Sequence, residues 1–131
     1  MITYRLDASG IERQDLAPFF EGWPTPPSLD RRLAAVRGAD HVAIAFDGDR
    51  LVGFATALSD GALMAYLSLL EVIASHRRRG VGTGLVRALE REIGDLYGLD
   101  LCCDEELVPF YERQGFSRVA GMVRRSPQAL P

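Results

Sequence analysis

Apolar and polar residues alternate from Ile2 to Leu6, the period of a half-exposed strand. Ile11 to Phe20 carries Leu16, Phe19 and Phe20 on one side and predicts a short helix. The next run, Gly22-Trp23-Pro24-Thr25-Pro26-Pro27, fits neither a helix interior nor a central strand, because proline removes backbone donors. Ser28 then stands as N-cap of a second helix, Leu29 to Val36, closed by Gly38. His41 to Phe46 and Leu51 to Leu58 read as strands, and Asp47-Gly48-Asp49-Arg50 between them carries the Asp-Gly hairpin signal. After a turn at Ser59-Asp60-Gly61, Met64 to Ile73 is a long apolar run, predicting a central strand covered on both faces and broken by one charge, Glu71.

The period then changes. From Gly80, the residues Val81, Leu85, Leu89, Ile93 and Leu96 form a helical stripe, with Arg87, Glu90, Arg91, Glu92 and Asp95 opposite and Gly98 as the stop. Leu99 to Cys103 predicts a buried strand, Glu105 to Gln114 a short amphipathic helix stopped by Gly115, and Phe116 to Arg125 one or two closing strands. The order β-α-α-β-β-β-α-β-α-β predicts a single domain over residues 1–131, an α/β fold of the α+β type with a central mixed sheet and helices on both faces.

Composition supports an ordered core: of 131 residues, 47% are hydrophobic and 25% charged. A net charge of −3 disfavours a generic nucleic-acid binder, yet Arg77, Arg78 and Arg79 stand together. A basic point on an acidic chain suggests a local anionic ligand. Adjacent Cys102 and Cys103 point to opposite faces of an extended strand, so an ordinary disulfide between them is implausible; they read as small buried hydrophobes, and with His41 and His76 they show no metal-ligand spacing. Both histidines read as structural or solvated. Met1 to Arg5 lacks a leader-like apolar stretch, and no run reaches the roughly 20 apolar residues of a membrane span. The expected location is a reducing cytoplasm, with no metal, membrane or nucleic-acid partner.

The segment Leu70 to Leu85 concentrates the chemistry. A strand runs into a loop rich in arginine and glycine, and the loop opens a helix whose first amides lack internal partners and favour an anion. Gly80, Gly82 and Gly84 let backbone approach a phosphate, and arginine adds charge-assisted hydrogen bonds. Leu85 stands where a Walker A loop needs lysine and where a Rossmann fingerprint needs a third small residue, so both nucleotide loops fail. What remains is Arg77-x-x-Gly80-x-Gly82. With Asp104-x-x-Leu107-x-x-Phe110-Tyr111 and Gly115-Phe116 following at the right distance, the chain resembles the Gcn5-related N-acetyltransferase (GNAT) superfamily. Leu51 to Phe116 carries the resemblance. Asp104 replaces the family's asparagine and is suited to cap the next helix, whereas Leu107 replaces a small residue and would narrow the neighbouring groove.

The resemblance implies a single-domain GNAT fold and direct acetyl transfer from acetyl-CoA to a primary amine of a small molecule or protein. It places the cofactor on Val72, Ile73, Arg77, Arg78, Arg79, Gly80, Val81, Gly82, Thr83, Gly84, Asp104 and Phe110, with the oxyanion donor on the backbone near Val72 and Ile73. It makes Tyr111 the general acid; a phenol of ordinary pKa about 10 suits a thiolate near 8.5. A core aromatic is the alternative for Tyr111. Glu71 is the candidate base, since burial raises a carboxyl's pKa, while a salt bridge to Arg77 or Arg79 competes with that reading and a water relay could replace a base. Trp23 and Tyr66 are pocket-wall or core residues. Edge-strand pairing into a homodimer is frequent among such folds. A non-catalytic acetyl-CoA or CoA sensor is the main alternative function, and a toxin-like enzyme acting on charged tRNA fits the acidic chain poorly.

Overall fold

The computed structural model describes residues 1–131. Its sheet grows from the Asp-Gly hairpin: β2 (His41–Asp47) and β3 (Arg50–Ser59) pair antiparallel with Asp47 opposite Arg50, and Gly48 takes φ 61° to close the turn. β4 (Met64–Val72) adds to β3 after a turn in which Asp60 Oδ1 accepts from the amides of Ala62, Leu63 and Met64. β1 (Ile2–Arg5) pairs antiparallel with β2, and β5 (Gly98–Asp100) pairs parallel with β4. The result is a mixed sheet ordered β1-β2-β3-β4-β5.

Two adjacent residues of β3 define its faces. A Cβ on Gly53 would stand 2.9 Å from Leu85 Cδ1 and 3.4 Å from Val81 Cγ1, so α2 (Val81–Ile93) lies directly on this face. Phe54 points the other way, where its ring meets Phe19 and Phe20 at centroid distances of 5.2 and 6.1 Å. That side is roofed by the segment before α1 (Leu29–Gly38), whose N-cap Ser28 accepts from Arg31 N–H as expected. Helical structure therefore covers both faces, and Val81, Leu85 and Leu89 are buried as their spacing requires. No helix is long and apolar enough to cross a membrane.

Several boundaries differ from expectation. Leu16, Phe19 and Phe20 are buried, but only Arg13–Leu16 is helical, as one 3₁₀ turn. Pro18 lacks an amide donor and Phe20 takes φ 65°, so the helix cannot continue. α2 ends at Gly94, φ 78°, four residues before Gly98, which instead begins β5. β5 stops at Asp100, so Cys102 and Cys103 are exposed free thiols rather than buried strand residues. The Glu105–Gln114 helix is a 3₁₀ turn (Glu105–Leu107) followed by α3 (Val108–Glu112), and Gly115 at φ 94° ends it. Phe116 to Arg125 forms no strand.

Candidate active site

β4 and β5 pair only from Met64 with Gly98 to Tyr66 with Asp100, and beyond that they part. The second half of β4, expected to be covered on both faces, is therefore only half-buried from Ser68 to Val72. Its backbone is directional there. Ile73 N–H donates to Val52 C=O on β3 at 3.0 Å, so in an antiparallel ladder the Val72 peptide groups turn to the opposite, open edge. The two residues expected to share the oxyanion role thus separate: Ile73 N–H is already satisfied, and Val72 faces the gap.

At the far end of the gap lies the loop into α2. Arg78 and Gly80 both take left-handed backbone, φ 60° and 81°, which turns the chain so that α2 begins at Val81. The amides of Val81, Gly82 and Thr83 find no acceptor within the chain, leaving a helix start with free donors. The three arginines are not equivalent. Arg77 Nε donates to Val72 C=O at 3.0 Å and its Nη2 lies 3.8 Å from Glu21 Oε2, so this guanidinium staples the loop back onto β4. Arg78 and Arg79 are exposed and form no ion pair.

The glycines also divide. A Cβ on Gly82 would lie 3.3 Å from the Phe110 ring, so this glycine lets α3 close against α2 beside the free amides. Gly84 serves a different neighbour: a Cβ there would overlap Tyr4 Oη. Its small size makes room for β1 rather than for a phosphate. Asp104 occupies the N-cap position of the 3₁₀ turn without a side-chain capping bond, contrary to expectation, and Leu107 is 44% exposed.

Tyr111 sits on α3 between the rings of Phe110 and Phe116, at centroid distances of 4.9 and 5.7 Å, and is 7% exposed. Burial, with a smaller contribution from nearby Cys103, pushes its phenol up to about 12 from the ordinary 10.0. Glu71 belongs to the other side of the sheet opening. Its Oε1 accepts from Phe20 N–H at 3.0 Å, and it forms no ion pair with Arg77 or Arg79. Burial raises its pKa, against the lowering effects of the Phe20 amide and of the Arg77 and Arg32 charges. Trp23 packs edge-on against Phe20 at 5.0 Å and stays 39% exposed, so it is not a buried core anchor. His76 is structural: its Nε2 is 2.9 Å from Asp47 Oδ2 and its Nδ1 2.8 Å from Ser75 Oγ.

Phe20 and Arg32 carry no functional signal in the sequence. Phe20 has no polar side chain to signal a role, since its backbone acts; Arg32 looked like any charge on a helix, yet it is buried.

Residues 9–116 match the model of the Acetyltransferase (GNAT) family. A candidate acetyltransferase from Deinococcus radiodurans R1 is 41% identical, with a TM-score of 0.89, over 97% of this chain and 90% of that one. A GNAT-family acetyltransferase from Streptococcus pneumoniae TIGR4 is 24% identical, with a TM-score of 0.80, over 96% and 98% of the two chains. An aminoglycoside N-acetyltransferase solved with CoA shares the fold at 18% identity and a TM-score of 0.70, over 96% and 94%. No curated protein sequence matches significantly.

Proposed function

Because this chain belongs to the acetyltransferase (GNAT) family, we propose that it moves the acetyl group of acetyl-CoA onto a primary amine of a small molecule or protein. The observation that carries the reading is the opening between β4 and β5, bordered at one end by the free amides of Val81, Gly82 and Thr83. The residues fit the co-substrate. A pyrophosphate suits the α2 start, where helix polarity and the uncommitted Arg78 and Arg79 favour negative charge. An extended amide chain suits the Val72 edge, whose free N–H offers a strand-like hydrogen bond beside the carbonyl that Arg77 occupies. Acetyl-CoA supplies the acyl carbon and a thiolate leaving group.

Protein groups divide the remaining work. The Val72 edge stabilises negative charge on the acyl oxygen, since its peptide is fixed and already oriented. Glu71, on the other face of the strand and bonded to the Phe20 amide, takes the proton of the incoming ammonium. Tyr111 donates to the departing sulfur and regains a proton from the acylated nitrogen as the amide forms. A phenol near 12 is fully protonated at neutral pH, so it stands ready to give its proton as negative charge develops on the sulfur.

The test is thiol release from acetyl-CoA over a panel of spermidine, kanamycin, lysine and glucosamine, and a lysine-rich peptide. Turnover of at least one amine is expected, with Tyr111→Phe lowering kcat roughly 100-fold and acetyl-CoA KM changing less. Full kcat in that variant removes Tyr111 from the chemistry; CoA binding with no turnover of any amine favours a sensor.

A further inference from the structure

Arg32 lies on α1 and is 8% exposed, yet it forms no ion pair. Its charge is instead received by carbonyl oxygens. Nε donates to Pro27 C=O at 2.9 Å, while Nη1 is shared among Leu16, Ala17 and Phe19 C=O at 3.0, 3.1 and 3.2 Å. The guanidinium also covers the Phe20 ring at 5.2 Å. All these contacts surround one strained point, Phe20 at φ 65°, a backbone conformation that bulky residues rarely adopt.

One of the contacts has a consequence for the site. The Phe19 carbonyl and the Phe20 amide belong to the same peptide. Arg32 Nη1 holds its oxygen, and Glu71 Oε1 accepts from its N–H at 3.0 Å. A trans peptide is planar, so fixing its C=O also fixes where its N–H points. A cation on the oxygen polarises the group and strengthens the bond its N–H donates.

We propose that Arg32 is the positioning residue of the acceptor side, aiming the Glu71 carboxylate through the single peptide that joins Phe19 to Phe20. The proposal rests on Glu71 acting as the base. Arg32 never touches the reacting atoms; it makes the carboxylate point one way and keeps it ionisable in half-buried surroundings. The charges facing Glu71 are Arg32 from α1 and Arg77 from the loop after β4, the latter drawn also toward Glu21. Loss of Arg32 removes one of these charges and the restraint on the peptide together, whereas lysine keeps the charge and loses the fork.

The test is a ¹³C NMR titration of the Glu71 carboxyl, assigned by its disappearance in Glu71→Gln, in the wild type, Arg32→Lys and Arg32→Met. The midpoint should rise in both Arg32 variants, further in Arg32→Met. The acid limb of kcat/KM for the fastest amine of the panel should move with it, and kcat should fall roughly tenfold or more. Unchanged CoA affinity by calorimetry certifies that the variants are folded. A midpoint that stays or falls in Arg32→Lys overturns the proposal, as does failure of both variants to fold, which would assign Arg32 to the fold alone. Undiminished kcat in Glu71→Gln removes the base and with it this role. If no amine is acetylated the proposed function fails, and the NMR arm still decides whether Arg32 reaches Glu71.

Discussion

Glu71 and Tyr111 are displaced in the same direction by burial, with opposite consequences for the pH profile. A base must be ionised, so activity should climb as pH rises through the elevated pKa of Glu71. Tyr111 must be protonated, and near 12 it imposes no descending limb below about pH 11. Stability runs the other way. A carboxyl whose folded pKa is raised contributes stability at low pH that disappears as pH climbs through that pKa. Glu71→Gln, whose amide oxygen can still accept from Phe20, should therefore raise Tm at pH 7 while lowering kcat; a fall in Tm would show that the ionised carboxylate is net stabilising. Both residues stand out in the chain, Glu71 as the one charge in an apolar run and Tyr111 beside Phe110. The Phe20 partner was not, because a backbone amide carries no mark in the sequence, and the expected arginine partner is committed to Val72 and Glu21.

Among the elements, the loop into α2 shows how one motif splits into separate jobs. Arg78 and Arg79 are available to an anion, and Arg77 is spent holding the loop to β4. Arg78→Ala and Arg79→Ala should each raise acetyl-CoA KM several-fold with kcat nearly retained, and the loss should shrink in high salt. A fall in kcat at unchanged KM would place these arginines in the chemistry instead. The motif itself was readable because glycine spacing and the change of hydrophobic period are local. The division among its arginines and glycines was not, since it depends on where β1, β4 and α3 lie around the loop: Tyr4 fills the space above Gly84 and Phe110 that above Gly82.

At the scale of the whole molecule, the opened sheet predicts linkage. If CoA bridges the β4 edge and the α2 start, saturating CoA should raise Tm by several degrees, since a ligand at 100 times its Kd adds about 2.7 kcal/mol. The same CoA should stabilise the Arg78→Ala and Arg79→Ala variants less, and an unmoved Tm in the wild type would count against the site. The chain's periodicity already specified the five strands, α1, α2 and their order, because burying an apolar stripe is a demand each segment makes by itself. The elements that failed as expected were the short ones. Residues 11–20, the end of β5 and the tail have too little periodic length to commit alone, and packing, Pro18 and neighbouring side chains settled their form. Tertiary structure alone decided that β4 and β5 part after Tyr66, that the Ile73 N–H is satisfied while the Val72 N–H faces the gap, and that one peptide lies between Arg32 and Glu71. Each is a relation between residues far apart in the chain, set by which groups remain unpaired after the core has closed.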